Sequence, residues 1–400
     1  MSGRFSVPAT PPPCSLKTRR FPMISTAFRK SWPVLLATAA FFLTRSFVSP
    51  PEQAGPAPFT PTLPDPQPGF MIARIHFDDR DSFQEKSWPA RTEHLKDLLN
   101  QTKIFWRSQT YGRIIGFQPP HFSELITIPR PETTGPEARE QIYQQVIAAL
   151  KAQKADLSDI QHYILSYPRL TEDDTAWSRP GVIWLPGKEP SADHLIHEFG
   201  HSLGLGHIQI HNAVDSKLPS DLWAKPATDP SFMMGVHSEG VRTRDQKRFP
   251  PLPVPMRAQL GLISSEQVIE ASQPGVYRIH AADEDSSMRF IALSLNVAAE
   301  NGRTYWIGYY PTIKRTFGLP ETDTALKGAY VHAVENNNIA TISLRAPQVG
   351  ADGSLKARFD TCLPLGETAP LPFTPFTLTP VEQGVTDQGF LYLDLQLSPR

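Results

Sequence analysis

From residue 70 onward the chain alternates between short apolar runs of strand period and longer stretches whose apolar positions fall three and four apart. Met71-Ile72-Ala73-Arg74-Ile75-His76-Phe77 mixes a continuous run with alternation and predicts a strand opening at Phe70 and ending in the acidic turn Asp78-Asp79. Glu93 to Lys103 carries Leu95, Leu98 and Leu99 at helical spacing, and the helix is predicted to run on through Phe105 and Trp106. Pro136 to Lys154 reads as an amphipathic helix with Ile142, Val146, Ala149 and Leu150 on one stripe. Tyr163 to Ser166 is apolar enough for an interior strand, whereas Gly181 to Leu185, bracketed by Pro180 and Pro186, reads as an edge strand. A loop-rich stretch is expected from Ile208 to Pro230. A closing helix follows over Pro253 to Leu262, with Met256, Leu260 and Leu262 inward.

Beyond Ile263 the pattern changes to short alternating strands separated by turn residues: Val276 to Ile279, Phe290 to Val297, Tyr305 to Tyr309, Ala329 to Val334, Ile339 to Leu344 and Phe390 to Leu397. Such spacing predicts an antiparallel β-sandwich. The aromatic residues Tyr305, Trp306, Tyr309 and Tyr310 read as core, the other reading being a binding stripe. The overall expectation is therefore an α+β chain, with a mixed unit over 70–264 and an all-β sandwich over 265–400.

The first 69 residues follow a different rule. Lys17, Arg19, Arg20, Arg29 and Lys30 precede an apolar run from Val34 to Leu43, the order of a charged region and a short hydrophobic core in a secretory signal. The run is shorter than the roughly 20 apolar residues of a membrane span. Residues 1–49 are accordingly read as a signal peptide, with an uncleaved signal anchor as the alternative. Secretion or an extracytoplasmic location follows, with membrane contact only through this leader. Residues 50–69 are so rich in proline that they predict an extended linker. The formal charge of −1, with no basic run, excludes a nucleic-acid partner. The two cysteines, Cys14 and Cys362, provide no disulfide framework.

The chemistry is concentrated in His197 to His207, which reads HEFGHSLGLGH. His197 and His201 stand four apart, so on a helix both imidazoles project from one face with Glu198 on an adjacent flank. Gly204 is placed where the helix must stop and the chain turn, and the turn brings back His207. Three neutral imidazoles leave the fourth tetrahedral position of a zinc ion to water, as in catalytic rather than structural sites. Glu198 is then positioned to take that water's proton. His194 and His211 flank the motif and are kept outside the site.

These residues match, at every fixed position, the pattern His-Glu-x-x-His-x-x-Gly-x-x-His, and the stretch resembles the metzincin clan of zinc metalloproteases. The resemblance implies a twisted mixed sheet carrying the zinc helix, with Pro136 to Lys154 as the backing helix. Tyr111-Gly112-Arg113, whose other reading is core packing plus a turn, is similar to a feature of the gametolysin-like branch that leads into a strand, here Ile114 to Phe117. The resemblance further implies that the edge strand before the zinc helix pairs with extended substrate, which assigns that role to Val182, Ile183, Trp184 and Leu185. Ser231-Phe232-Met233-Met234-Gly235 is similar to the methionine turn beneath the histidines, with Met234 as its methionine. Position 236 is valine where some members supply a tyrosine ligand, so no tyrosine switch is expected.

Together these readings predict a zinc-dependent endopeptidase acting on protein or peptide substrates. His197, His201 and His207 are its zinc ligands and Glu198 its general base. A catalytically idle zinc-containing binding protein and a zinc hydrolase of a non-peptide amide or ester are the alternatives.

Overall fold

The structure is a computed structural model. It describes residues 64–78, 89–114, 116–187, 189–213, 227–229, 231–235, 249–283, 290–296, 303–311, 313, 327–335, 338–344 and 361–400. The leader, and the spacer up to residue 63, lie outside the described residues, as do Ile115 and Val236. Among the described residues no helix is long and apolar enough to cross a membrane.

The first sheet has the order β2-β1-β3-β5-β4. It is built from β1 (Phe70–Phe77), β2 (His121–Ile128), β3 (His162–Tyr167), β4 (Trp177–Arg179) and β5 (Val182–Pro186). β1, β2, β3 and β5 run parallel, and β4 lies antiparallel to β5. Parallel neighbours need long crossovers, and α1 (Thr92–Gln109) and α2 (Gly135–Ala152) supply them. The two-residue period of β1 decides which helix each face meets. Met71, Ala73, Ile75 and Phe77 pack with Ile142, Val146 and Leu150 of α2. Phe70 and Ile72 pack on the opposite side with Leu95, Leu98 and Trp106 of α1 and with Leu195, Ile196 and Phe199 of α3 (Ala192–Ser202).

Two sequence expectations are corrected in this sheet. Among the described residues of the expected strand Ile114 to Phe117, namely Ile114, Gly116 and Phe117, none is in a strand. The chain leaves α1 through Tyr111, at φ 51, and Ile114 is tied back by its N–H to Thr110 Oγ1 at 3.0 Å. The next strand begins only after Pro119 and Pro120, which have no N–H to donate. The edge assignment for Gly181 to Leu185 also fails. Pro180 and Gly181 form a tight turn, not an edge guard, and fold β4 back onto the outer side of β5. Val182, Ile183, Trp184 and Leu185 are therefore buried between two strands, and the edge belongs to β4.

The remaining chain forms two further sheets. One has eight strands in the order β7-β6-β13-β12-β11-β10-β8, with β14 also paired to β12. Its strands are β6 (Ile208–Asn212), β7 (Ala227–Thr228), β8 (Val268–Glu270), β10 (Ala292–Asn296), β11 (Thr304–Gly308), β12 (Gly328–Glu335), β13 (Asn338–Ser343) and β14 (Cys362–Pro364). The other sheet has the order β15-β16-β17-β9, from β9 (Gly275–His280), β15 (Ala369–Pro370), β16 (Phe376–Val385) and β17 (Leu391–Pro399). A short helix, α4 (Val254–Gln259), lies between β7 and β8 in sequence, with Met256 and, just beyond it, Leu260 and Leu262 buried as expected.

The eight-stranded sheet lies between two cores. On β12, Tyr330 and Val334 join the core that holds α1 and α3, while Ala329, Val331 and Ala333 join a second core shared with Leu393, Leu395 and Leu397 of β17. Strands from both sides of residue 264 contribute to this sheet, because β6 runs parallel to β13 from Ile208↔Ile339 to Asn212↔Ser343. The stretch expected to be loop-rich thus opens as a strand, while 214–226 and 230 lie outside the described residues. Tyr305, Trp306, Tyr309 and Tyr310 are all buried, so they are core and not a binding stripe.

Candidate metal centre

α3 begins after Ser191, whose hydroxyl lies 2.8 Å from His194 Nδ1, so His194 is held at the helix start and away from the other histidines. Along the helix Leu195, Ile196 and Phe199 face the core, which leaves His197 and His201 on the face one turn apart. The helix stops at Leu203. Gly204, at φ 91, reverses the chain, so that Leu205 returns its N–H to Gly200 O at 3.0 Å. Leu205 O then accepts the N–H of His201 Nδ1 at 2.7 Å. No neighbouring atom lies within 4 Å of a side chain added at Gly204, so glycine is required there by backbone conformation and not by space.

The turn brings the three histidines together. Their Nε2 atoms lie 3.2 Å (His197 to His207), 3.0 Å (His197 to His201) and 3.0 Å (His201 to His207) apart. His197 Nδ1 lies 2.9 Å from Met233 O, as His201 Nδ1 lies beside Leu205 O. A ring nitrogen that donates to a carbonyl fixes the tautomer and leaves Nε2 as an acceptor. Lone pairs of neighbouring imidazoles so directed repel unless a cation sits among them. The group of His197, His201 and His207 could therefore hold a metal ion. His211 is placed on β6, with Nε2 3.4 Å from Gln209 Oε1, and does not join the group.

Glu198 is buried, and its Oε2 accepts a 2.6 Å hydrogen bond from Ser178 Oγ. Burial raises its pKa above the ordinary carboxylate range, and the Ser178 hydrogen bond, His201, His194 and Arg139 oppose that rise. Ser178 lies on β4, so the edge strand and the acidic residue are joined by this one bond. Nothing in the sequence motif points to Ser178, since the two residues meet only through the β4–β5 turn.

Beneath the histidines Met234 is fully buried, and its sulfur presses on Gly200. A methyl group added at Gly200 would stand 2.4 Å from Met234 Sδ, so the helix carries glycine there to let the thioether approach. The turn Ser231 to Gly235 is pinned from several sides. Ser231 N–H donates to Asp229 Oδ1 at 2.9 Å, Ile208 N–H to Met234 O at 2.9 Å, and Met233 N–H to Pro251 O at 3.1 Å. Phe232 packs edge-on against Tyr310, Tyr330 and His332 at 5.1, 5.5 and 5.2 Å between centroids. His332 is wholly enclosed, and burial lowers its pKa to about 3, so it is neutral. Asp229 is likewise enclosed, and burial raises its pKa.

Tyr111 serves as a tie and not as a strand leader. Its hydroxyl donates to Ala282 O at 2.8 Å and receives Arg257 Nη1, while the Arg257 guanidinium also reaches Gln109 Oε1 at 2.8 Å. These bonds join the end of α1 to the region around α4.

No protein-family model matches the chain, and no curated protein matches it. One solved structure similar to it is titled "Structure of a chaperone-substrate complex". It is 15% identical over 35% of this chain, with a TM-score of 0.26, and the chain spans 24% of that protein's length. A likeness so slight carries no argument.

Proposed function

We propose that this protein is a secreted zinc-dependent endopeptidase in which His197, His201 and His207 hold the metal and Glu198 is the general base. The observation that carries the reading is the spacing of the three Nε2 atoms beside a buried carboxylate. Zinc–nitrogen bonds of about 2.0–2.1 Å at a tetrahedral angle separate the nitrogens by about 3.3 Å. Bonds of the length calcium prefers would separate them by about 4 Å. The observed 3.0–3.2 Å fits the smaller ion, and three imidazoles suit zinc better than a hard cation.

Zinc so held supplies Lewis acidity toward water and a carbonyl oxygen. The chain's own residues supply the rest. Glu198 takes a proton from the attacking water and returns it to the leaving amine, and Ser178 fixes which carboxylate oxygen remains free to do so. The substrate strand expected at β5 is reassigned to β4. This edge has no strand beyond it among the described residues, and an extended peptide added there runs alongside the Ser178–Glu198 bond.

The test compares zinc-loaded parent and Glu198→Ala protein on a proteome-derived peptide mixture at neutral pH. Zinc content should be unchanged and cleavage should fall about 10²- to 10⁴-fold, chiefly in kcat. Equal rates would exclude the mechanism. Absence of chelator-sensitive cleavage in the parent would favour a zinc-containing binding protein.

A further inference from the structure

A cavity of about 420 Å³ opens between α1 and the segment leading into β2, away from the three histidines. Its volume lies within the roughly 300–1,000 Å³ typical of small-molecule pockets. Phe70, Phe117 and Phe122 give it an aromatic lining, and Lys96, Asn100 and Lys103 stand along one side on α1. Phe70 and Phe117 are held rigidly, 4.6 Å apart between centroids and each within 5.6 Å of Phe199.

The charged side chains that line this cavity are two lysines. Among the described residues no acidic side chain lines it. Lys103 is half-buried and makes no ion pair or hydrogen bond through its ammonium group with any described residue. Lys96 lies over the Phe122 ring at 5.8 Å and is shared with exposed Glu93 at 2.7 Å, a surface pair that a second carboxylate can displace at little cost. A half-buried ammonium without a counter-ion among the described residues, above an apolar floor, is complementary to an anion that carries an apolar body.

We infer that this cavity binds a monomeric amphiphilic carboxylate, with the carboxylate on Lys103 and Lys96 and the apolar body against Phe70, Phe117 and Phe122. The site is separate from the metal centre and does not rest on the peptidase reading. The headgroup chemistry could equally come from an anionic membrane, so the test has an arm for each source.

Full-length protein is titrated calorimetrically with decanoate, with decyltrimethylammonium as the cation of matched chain length. One saturable site is expected for decanoate and none for the cation. Lys103→Glu, which reverses the charge, and Asn100→Trp, which fills the cavity from an exposed position, should each weaken binding by at least about tenfold, or about 1.4 kcal/mol. Circular dichroism of both variants controls for folding. Flotation with phosphatidylglycerol vesicles should recover no protein. The inference is overturned if decanoate shows no saturable binding up to about 1 mM, a Kd worth only about 4 kcal/mol. Equal affinity for both headgroups, or unchanged affinity in either variant, overturns it too. So does co-flotation with vesicles in the absence of decanoate binding.

Discussion

The histidines and the floor beneath them meet within one site yet are assembled in opposite ways. The group that can hold a metal comes from eleven consecutive residues, and a helix plus one glycine turn is enough to bring its three nitrogens together. The floor is drawn from Met234, Asp229, Tyr310, Tyr330, His332 and Pro251, and it meets the helix only because the eight-stranded sheet lies behind it. Chemistry that is local in the chain is fixed by spacing alone. Its support is fixed by packing between strands far apart in sequence, and spacing says nothing about that.

The comparison breaks most visibly if the ligand segment does not act as a unit. Changing His201 and His207 together to alanine should reduce bound zinc from about one equivalent per chain to under about a tenth, read by metal analysis of purified protein, because one imidazole cannot close a three-ligand site. Retention of zinc in that variant would show that the metal is held elsewhere.

Acid should separate the fold from the metal. Burial lowers the pKa of His162, behind the helix, to about 4, and that of His332, in the floor, to about 3, both below the ordinary histidine value. The unfolded chain therefore takes up these protons first as pH falls. Stability should be full above about pH 6.5 and decline below it, by roughly 3 kcal/mol for each histidine by pH 4. Urea unfolding of chelator-treated protein between pH 7.5 and 4.5 measures this, and His332→Gln should flatten the slope. An unchanged slope would mean that His332 does not contribute neutral burial to the floor.

The contact between helix and floor is the smallest lever. Gly200→Ala forces its methyl group against Met234 and should cost about 1–3 kcal/mol, as overpacking does. Combining it with Met234→Ala should be markedly less than additive, since the two atoms share one space. Met234→Leu should cost about 1 kcal/mol or less and leave zinc bound. Full additivity of the Gly200 and Met234 changes would separate floor from helix.

The same division explains what the sequence could tell. Strands β1, β3, β9 to β13 and β17 and helices α1 and α2 are visible because their apolar periods are long and uninterrupted. β16 is not, since Pro380 interrupts its alternation where a register shift between Pro380 and Glu382 absorbs it. β2 is a half-exposed edge strand with little apolar signal. The prolines flanking Gly181 to Leu185 read as edge guards, yet Pro180 forms the turn that creates a new edge in β4. At the site, the histidines, Glu198 and Gly204 stand in one register and are legible. Ser178 and Gly200 act through partners 20 or more residues away and leave no local pattern, and Asp229 is tied to distant Thr341 as well as to nearby Ser231.

The strand that follows His207 without an intervening residue is zipped to β13, more than 100 residues later. During synthesis a nascent chain that has emerged only as far as residue 300 already displays all three histidines and Glu198. It still lacks the strand that anchors the third histidine and the rings that seat Phe232. Completion of the centre thus waits until residues 310–343 have emerged. The order of emergence from the ribosome itself delays the finished seating of the three histidines until those later strands have been made.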